Sequence, residues 1–305
     1  MKIAGVLGLK NYKNSYTRRL SGGGSYIYLN HYTTKIEDFP GINKISDHMK
    51  KHDKPLGERE FAYYLAGLIE GDGSFGDQRL EILFFEKDIS LAYYIKKRIG
   101  YGSVKFIKDK RAVKYVLIHI VGLKYVLDLV NGKFLTNCKI NQLLKYDYGT
   151  KFAMEIFPPA NFSLMTNHYL AGFTDSVGYF GISTKTAFHP LGYATKDKSS
   201  QLVIVRLRFV LGQKDATILQ KIKYEFGGYL YHYKSTDNYL LELSSFSENL
   251  KVIEYFDKFN LNSIKYLAFF KWRKAYRIVQ RKEHLIEKGL SKIKLLGKSI
   301  SELIK

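Results

Sequence analysis

The sequence predicts an α+β protein built from two pseudo-symmetric αββαββα halves, and three observations carry that reading. Two apolar segments, "FAYYLAGLIEGDGSF" from Phe61 and "NHYLAGFTDSVGYF" from Asn167, repeat one skeleton of residues at nearly fixed spacing. Each is followed by a strand-like run that ends in a polar triplet, Glu86-Lys87-Asp88 and then Gln213-Lys214-Asp215. From Asp88 to Gly100 and from Asp215 to Gly227 the distance is 12 residues in both copies.

Taken in order, the elements repeat. After each triplet the apolar positions take a helical period: Ile89, Tyr93, Ile95 and Ile99 in the first copy, Ile218, Ile222 and Phe226 in the second. Glycine then ends each helix. Two strand-like runs come next, Ser103 to Phe106 with Tyr115 to Val121, and Tyr229 to Tyr233 with Tyr239 to Ser244, each pair parted by a polar turn. A further helix closes each copy. Leu65 to Glu86 spans 21 residues but Leu170 to Gln213 spans 43, so the second copy carries 22 extra residues in its first hairpin, placed at the polar stretch Lys185 to Gln201. Pro158-Pro159 marks the linker. The expected organisation is a basic arm at 1–57, a first half at 58–157, a second half at 158–280 and a basic C-terminal helix at 281–305. The arm contains "SGGGS" at Ser21 to Ser25, without the Gly-Lys-Ser/Thr ending of a phosphate loop, and is expected to be disordered or loosely docked.

Composition narrows the function. The 305 residues carry 49 Lys plus Arg against 28 Asp plus Glu, a formal charge of +21, yet 46% are hydrophobic. That much apolar surface excludes a disordered basic tail, and a folded chain of this charge calls for a polyanionic partner, nucleic acid before membrane. One cysteine, Cys138, cannot form an internal disulfide, and no apolar stretch reaches the roughly 20 residues needed to span a bilayer. No membrane association and no cleaved secretory leader are expected. The 38 lysines against 11 arginines suggest an AT-rich genome.

Small residues four apart, Gly67 with Gly71 and Gly172 with Ser176, put a bare stripe on one face of each repeated helix and predict that the two helices pack backbone to backbone. The first helix ends in Asp72, where the helix dipole disfavours an acid. A carboxylate at a close helix pair in so basic a chain reads as a ligand for a divalent metal poised over nucleic acid.

"LAGLIEGDG" (Leu65 to Gly73) and "LAGFTDSVG" (Leu170 to Gly178) resemble the two signature helices of single-chain LAGLIDADG homing endonucleases and intron maturases. The resemblance implies saddle-shaped antiparallel sheets seated on double-stranded DNA with a long asymmetric target, and a monomer that hydrolyses phosphodiester bonds with Mg²⁺ or Mn²⁺. It also implies an organellar, most simply mitochondrial, protein encoded in a group I intron. By the same resemblance Asp72 is the metal ligand and Lys139 polarises the scissile phosphate or its water, while Glu86 and Gln213 order solvent around the metal. The second copy departs from the pattern: Val177 stands at the acid's position, Asp175 lies two residues and about 200° of helix rotation away, and the lysine's place falls on Asn262 or Ser263, with Lys265 offset. Cleavage is therefore expected to be strand-biased. The alternative is a maturase that binds its own group I intron RNA, or a binding-only protein that no longer cuts.

Strand alternation defines the expected DNA face. In "LVIVRLRFVL", Arg206 and Arg208 share one side while Val205, Leu207 and Phe209 share the other. Gln78, Arg79, Lys105, Lys108, Lys110, Arg111 and Lys114 are the first-half counterparts, joined by Lys185, Lys196, Lys198 and Lys234 in the second. A continuous basic amphipathic helix is expected from Lys271 onward, its basic side open to solvent or to flanking nucleic acid. His48 and His52, four apart, lack a third ligand at helical spacing and predict no metal site.

Overall fold

The structure, a computed structural model, describes residues 45–48, 57–187 and 202–304. In the first half α1 (Glu58–Asp72) leads into the hairpin β1 (Gly73–Gly76) and β2 (Arg79–Phe85), then α2 (Ile89–Ile99), β3 (Ser103–Phe106), β4 (Ala112–Leu117) and α3 (Ile120–Val130), with α4 (Asn137–Lys145) and the short α5 (Tyr148–Lys151) added. The second half repeats this as α6 (Tyr169–Val177), β5 (Gly178–Ala187), β6 (Leu202–Gln213), α7 (Ala216–Phe226), β7 (Tyr229–Tyr233), β8 (Asn238–Leu243) and α8 (Phe246–Lys258). Then come α9 (Lys265–Gln280) and α10 (Glu287–Ile304). Both sheets are antiparallel and four-stranded, with the matching orders β1-β2-β4-β3 and β5-β6-β8-β7. No helix among the described residues is long and apolar enough to cross a membrane.

The axis of the molecule is the contact of α1 with α6. A Cβ built on Gly67 would overlap the carbonyl oxygen of Tyr169 and stand 2.9 Å from the amide nitrogen of Phe173. One built on Gly172 would overlap the carbonyl oxygen of Tyr64. Only glycine lets these backbones meet. Each sheet turns its apolar residues onto this pair: Leu80, Ile82 and Phe84 of β2 are buried while Arg79 is exposed, and Leu207, Phe209 and Leu211 of β6 are buried while Arg206 is exposed. The opposite, concave faces carry the charge.

Three sequence expectations need correction. The strand foreseen at Tyr115 to Val121 is Ala112–Leu117, because Ile118 to Val121 are exposed and Ile120 already opens α3. The helix foreseen as continuous from Lys271 breaks after Gln280, where Lys282 takes a left-handed backbone (φ 58°), and resumes at Glu287. Nor are Arg273 and Arg277 of α9 open to solvent or nucleic acid, whereas Arg281, just past its end, stays half exposed. Arg273 is 3% exposed and forks onto Asp257 at 2.8–3.1 Å, while its other nitrogen donates to the Ser46 carbonyl at 3.0 Å. Arg277 and Arg281 hold the Asp47 carboxylate, and Gln280 accepts the Ile45 N–H at 3.2 Å. The described end of the arm is thus clasped by α9. His48 belongs to that segment, and His52 lies outside the described residues.

Candidate functional site

The C-terminal ends of α1 and α6 meet where the two halves join, and a buried carboxylate on each helix anchors the segment packed against it. Glu70 accepts the N–H groups of Leu135 (2.8 Å) and Thr136 (2.9 Å) and the Thr136 hydroxyl (2.5 Å), which seats the start of α4. The Tyr169 hydroxyl, from the opposite signature helix, donates to it as well. Asp175 does the same in mirror image, taking the N–H groups of Asn262 (2.7 Å) and Ser263 (3.2 Å), the Ser263 hydroxyl (2.5 Å) and the Tyr64 hydroxyl (2.6 Å). Burial pushes both carboxyls up, and these hydrogen bonds pull them back. Neither acid has a lone pair to spare, so both are anchors and neither replaces the acid missing at Val177.

That pairing sets the register of the lysines. Lys139 follows Thr136 by three residues, and its buried ammonium donates to the Gly73 carbonyl at 2.6 Å. Lys265 follows Ser263 by two, and its ammonium caps α6 by donating to the carbonyls of Thr174 (3.0 Å), Asp175 (2.9 Å) and Ser176 (2.6 Å). Sequence spacing puts the lysine's place on Asn262 or Ser263 with Lys265 offset; the structure uses that offset, since a four-carbon stem spans the one-residue difference. Burial lowers both ammonium groups, and Asp72 is among the acids that hold each up.

Asp72 is near enough to both to feel their charge. Burial raises its carboxyl, and Lys265 and then Lys139 oppose the rise. No described residue donates a hydrogen bond to it. On the other helix Val177 packs near Gly71 and offers no donor atom. Asp72, Lys139 and Lys265 therefore form one acid with two cations. Gln213 stands beside them, its amide donating to the Glu70 carbonyl at 3.3 Å. Glu86 is turned elsewhere, paired with Arg111 at 2.5 Å.

Asp88 is a group the sequence did not disclose. Its counterpart Asp215 caps α7 through the Thr217 N–H (2.8 Å), but Asp88 reaches into the other half and accepts the Ile264 N–H at 2.6 Å, just before Lys265. Burial raises it from 3.8 to about 6, with the Ile264 N–H and Lys265 opposing. Asp88 holds its proton more tightly folded than unfolded, so its contribution to stability is greatest at low pH and falls as the pH rises from about 4 to about 6. The shift corresponds to about 3 kcal/mol. Asp88→Asn keeps the acceptor and drops the charge. Its urea-unfolding free energy should match the parent near pH 4 and exceed it by up to that amount near pH 7; parallel curves would contradict the buried placement.

The concave faces are cationic but organised by acids. Glu81 pairs with Lys114 (3.0 Å) and Arg79 (3.5 Å), and Glu242 with Arg206 (3.2 Å) and Arg208 (3.9 Å). Gln78, Lys105, Lys108, Lys110, Lys185 and Lys234 are exposed, and Lys196 and Lys198 lie outside the described residues.

Twin sheets around a glycine-to-glycine helix pair, with one acid and two lysines at its end, define a pseudo-dimeric class of protein within a single chain. Comparison agrees. The LAGLIDADG endonuclease family matches residues 170–276. An uncharacterized cox1 intron-2 37.2 kDa protein of Schizosaccharomyces pombe is 40% identical over 292 residues, 94% of this chain and 84% of that one. A probable intron-encoded endonuclease 4 of Neurospora crassa is 27% identical over 244 residues, and the match spans 75% of this chain but 42% of that longer protein. Among solved structures the fold is shared with the LAGLIDADG meganuclease I-CpaMI bound to uncleaved DNA, at TM-score 0.58 and 16% identity over 78% of this chain and 98% of that one. The chain belongs to the LAGLIDADG endonuclease family.

Proposed function

We propose that the chain is an intron-encoded, site-specific endonuclease that holds double-stranded DNA across its two concave sheets and hydrolyses it at the junction of α1 and α6. The observation that carries the reading is the isolated carboxylate of Asp72, near enough to the ammonium groups of Lys139 and Lys265 to feel their charge. A divalent metal fits this carboxylate. Its oxygens accept no hydrogen bond from described residues, and Mg²⁺ suits one or two carboxylates completed by phosphate oxygens and water. Among the described residues no group of three or more His, Cys, Asp or Glu side chains could hold a metal without such help. Asp72 would hold the ion, which would supply Lewis-acid charge for phosphodiester hydrolysis. Lys139 and Lys265 hold positive charge near the same point, and the concave lysines and arginines neutralise phosphates on the way to it. Two halves in one chain suit a monomer on an asymmetric target. The kinship with a cox1 intron protein suits a mitochondrial location.

Val177 makes the halves unequal, so one strand should be cut faster than the other. A denaturing gel that resolves both strands of DNA spanning the intronless insertion site, incubated with Mg²⁺, tests this. Val177→Asp should speed the slower strand by about tenfold or more, a gain of about 1.4 kcal/mol in the barrier. Equal and rapid cutting of both strands by the parent would refute the one-acid reading. The same valine, with Lys265 committed to three helix carbonyls, favours the second reading, a maturase for its own group I intron RNA or a binding-only protein; absence of cutting with intact binding is its signature.

A further inference from the structure

The two halves differ most in their first hairpins. In the first half, Leu80 to Phe85 of β2 all pair with β4, so only Arg79 projects beyond the sheet. In the second, β6 pairs with β8 only from Phe209 to Gln213, and from Gly181↔Arg208 out to Ala187↔Leu202 the seven remaining pairs form a free two-stranded ribbon. An isolated ribbon of this kind is marginal in water. Here its convex side is covered. Near the sheet, Phe269 and Trp272 of α9 lie 5.5 and 5.4 Å from Phe180. Further out α10 takes over: a Cβ on Gly297 would stand 3.3 Å from the Ile182 carbonyl oxygen and 3.4 Å from its Cβ, and Ile293 and Ile300 are buried. The last turn of α10 is tied to the other half, since the Lys87 ammonium donates to the carbonyls of Glu302 (3.3 Å) and Leu303 (3.2 Å). Seven ribbon pairs reach about 20 Å, and an 18-residue helix is about 27 Å long. The helix is thus the longer of the two, with Gly297 against Ile182 of the ribbon and its last turn at the first half. Covering the convex side leaves the concave side free, where Ser183 and Lys185 on β5 continue the row of Arg206 and Arg208 on β6.

We propose that α10 is a strut that stiffens the β5–β6 ribbon into a DNA-reading arm. The second half-site then extends about six base pairs further from the centre of the target than the first, at about 3.4 Å per base pair. The proposal rests on the reading of the concave sheets as the DNA surface. It is tested by hydroxyl-radical footprinting of the full chain on a duplex of the intronless insertion site, with calcium in place of magnesium. The parent should protect one side of the target about six base pairs further than the other. Gly297→Leu, which wedges α10 off Ile182, should lose that outer protection alone and bind several-fold more weakly, with the centre and the short side still covered. Equal protection on both sides by the parent would overturn the arm, and unchanged outer protection in a folded Gly297→Leu variant would overturn the strut. Should Gly297→Leu fail to fold, Lys87→Ala, which frees the last turn of α10 from the first half, carries the test: outer protection should weaken while the centre and short side stay covered, and unchanged outer protection would overturn the strut. No protection anywhere would instead bring down the DNA-binding reading itself, and this inference with it.

Discussion

Gly172→Leu should leave little folded protein at 37 °C. Overpacking a core usually costs about 1 to 3 kcal/mol, because side chains move aside. Here nothing can move cheaply, since the atoms a Cβ would meet are the Tyr64 carbonyl and, at 3.0 Å, the Leu68 amide nitrogen, both in the backbone of a buried helix. The added side chain must part α1 from α6. Parting them breaks Tyr64 from Asp175 and Tyr169 from Glu70, which leaves buried carboxylates short of donors and releases the starts of α4 and α9. A loss above about 3 kcal/mol is a large share of the 5 to 15 kcal/mol that holds a typical domain together. Gly67→Leu should behave alike. Gly212→Ala is the control: it lies on β6 with nothing within 4 Å of its added Cβ and should melt with the parent. Thermal melts of the three variants check this, and a parental melt for Gly172→Leu would mean that the helices do not meet at glycine.

The range of the interactions decides which features the sequence disclosed and which it hid. The doubled αββαββα order was legible because its signals are local: Gly100 and Gly227 stop helices, strands alternate, and the small residues of α1 and α6 recur four apart. The proximity of Asp72 to Lys139 was legible by resemblance. Lys265 was not, because its register depends on which hydroxyl meets the buried carboxylate. Matching Ser263 to Thr136 through Asp175 and Glu70 would have found it one residue early. Asp88 looked like its repeat Asp215, and no local pattern tells a helix cap from a carboxylate that crosses to the other half. Arg273 and Arg277 read as a solvated basic face because their partners, Asp257 and Ser46 with Asp47, lie beyond helical spacing on other segments. The break between α9 and α10 was silent because Lys282 holds a positive φ without being glycine.

Asp72→Asn should abolish cleavage while leaving DNA affinity and stability close to the parent's. The amide keeps the size of the side chain but is a poor Mg²⁺ ligand, so the loss should reach at least the order of 10²- to 10³-fold seen when one preorganised charge-stabilising group is removed. Stability should hold, because burial already disfavours the Asp72 carboxylate and no described hydrogen bond is lost. Affinity should be equal or slightly higher, since the change removes a negative charge from a surface that receives phosphates. The raised Asp72 carboxyl adds a pH signature. At sub-saturating Mg²⁺, parental cleavage should fall as the pH drops, because the proton that burial favours on Asp72 competes with the metal for the carboxylate; the Asn variant has no such titration. Glu70→Gln separates the site from its scaffold. Its amide cannot accept every donor from Leu135, Thr136 and Tyr169, so that variant should lose stability along with activity. Single-turnover cleavage, a binding titration and a melt on both variants are the measurements. Cutting at the parental rate by Asp72→Asn would move the chemistry to another acid. Since Glu70 and Asp175 are bound on every side and Glu86 pairs with Arg111, the one buried acid near Lys265 left to test would be Asp88.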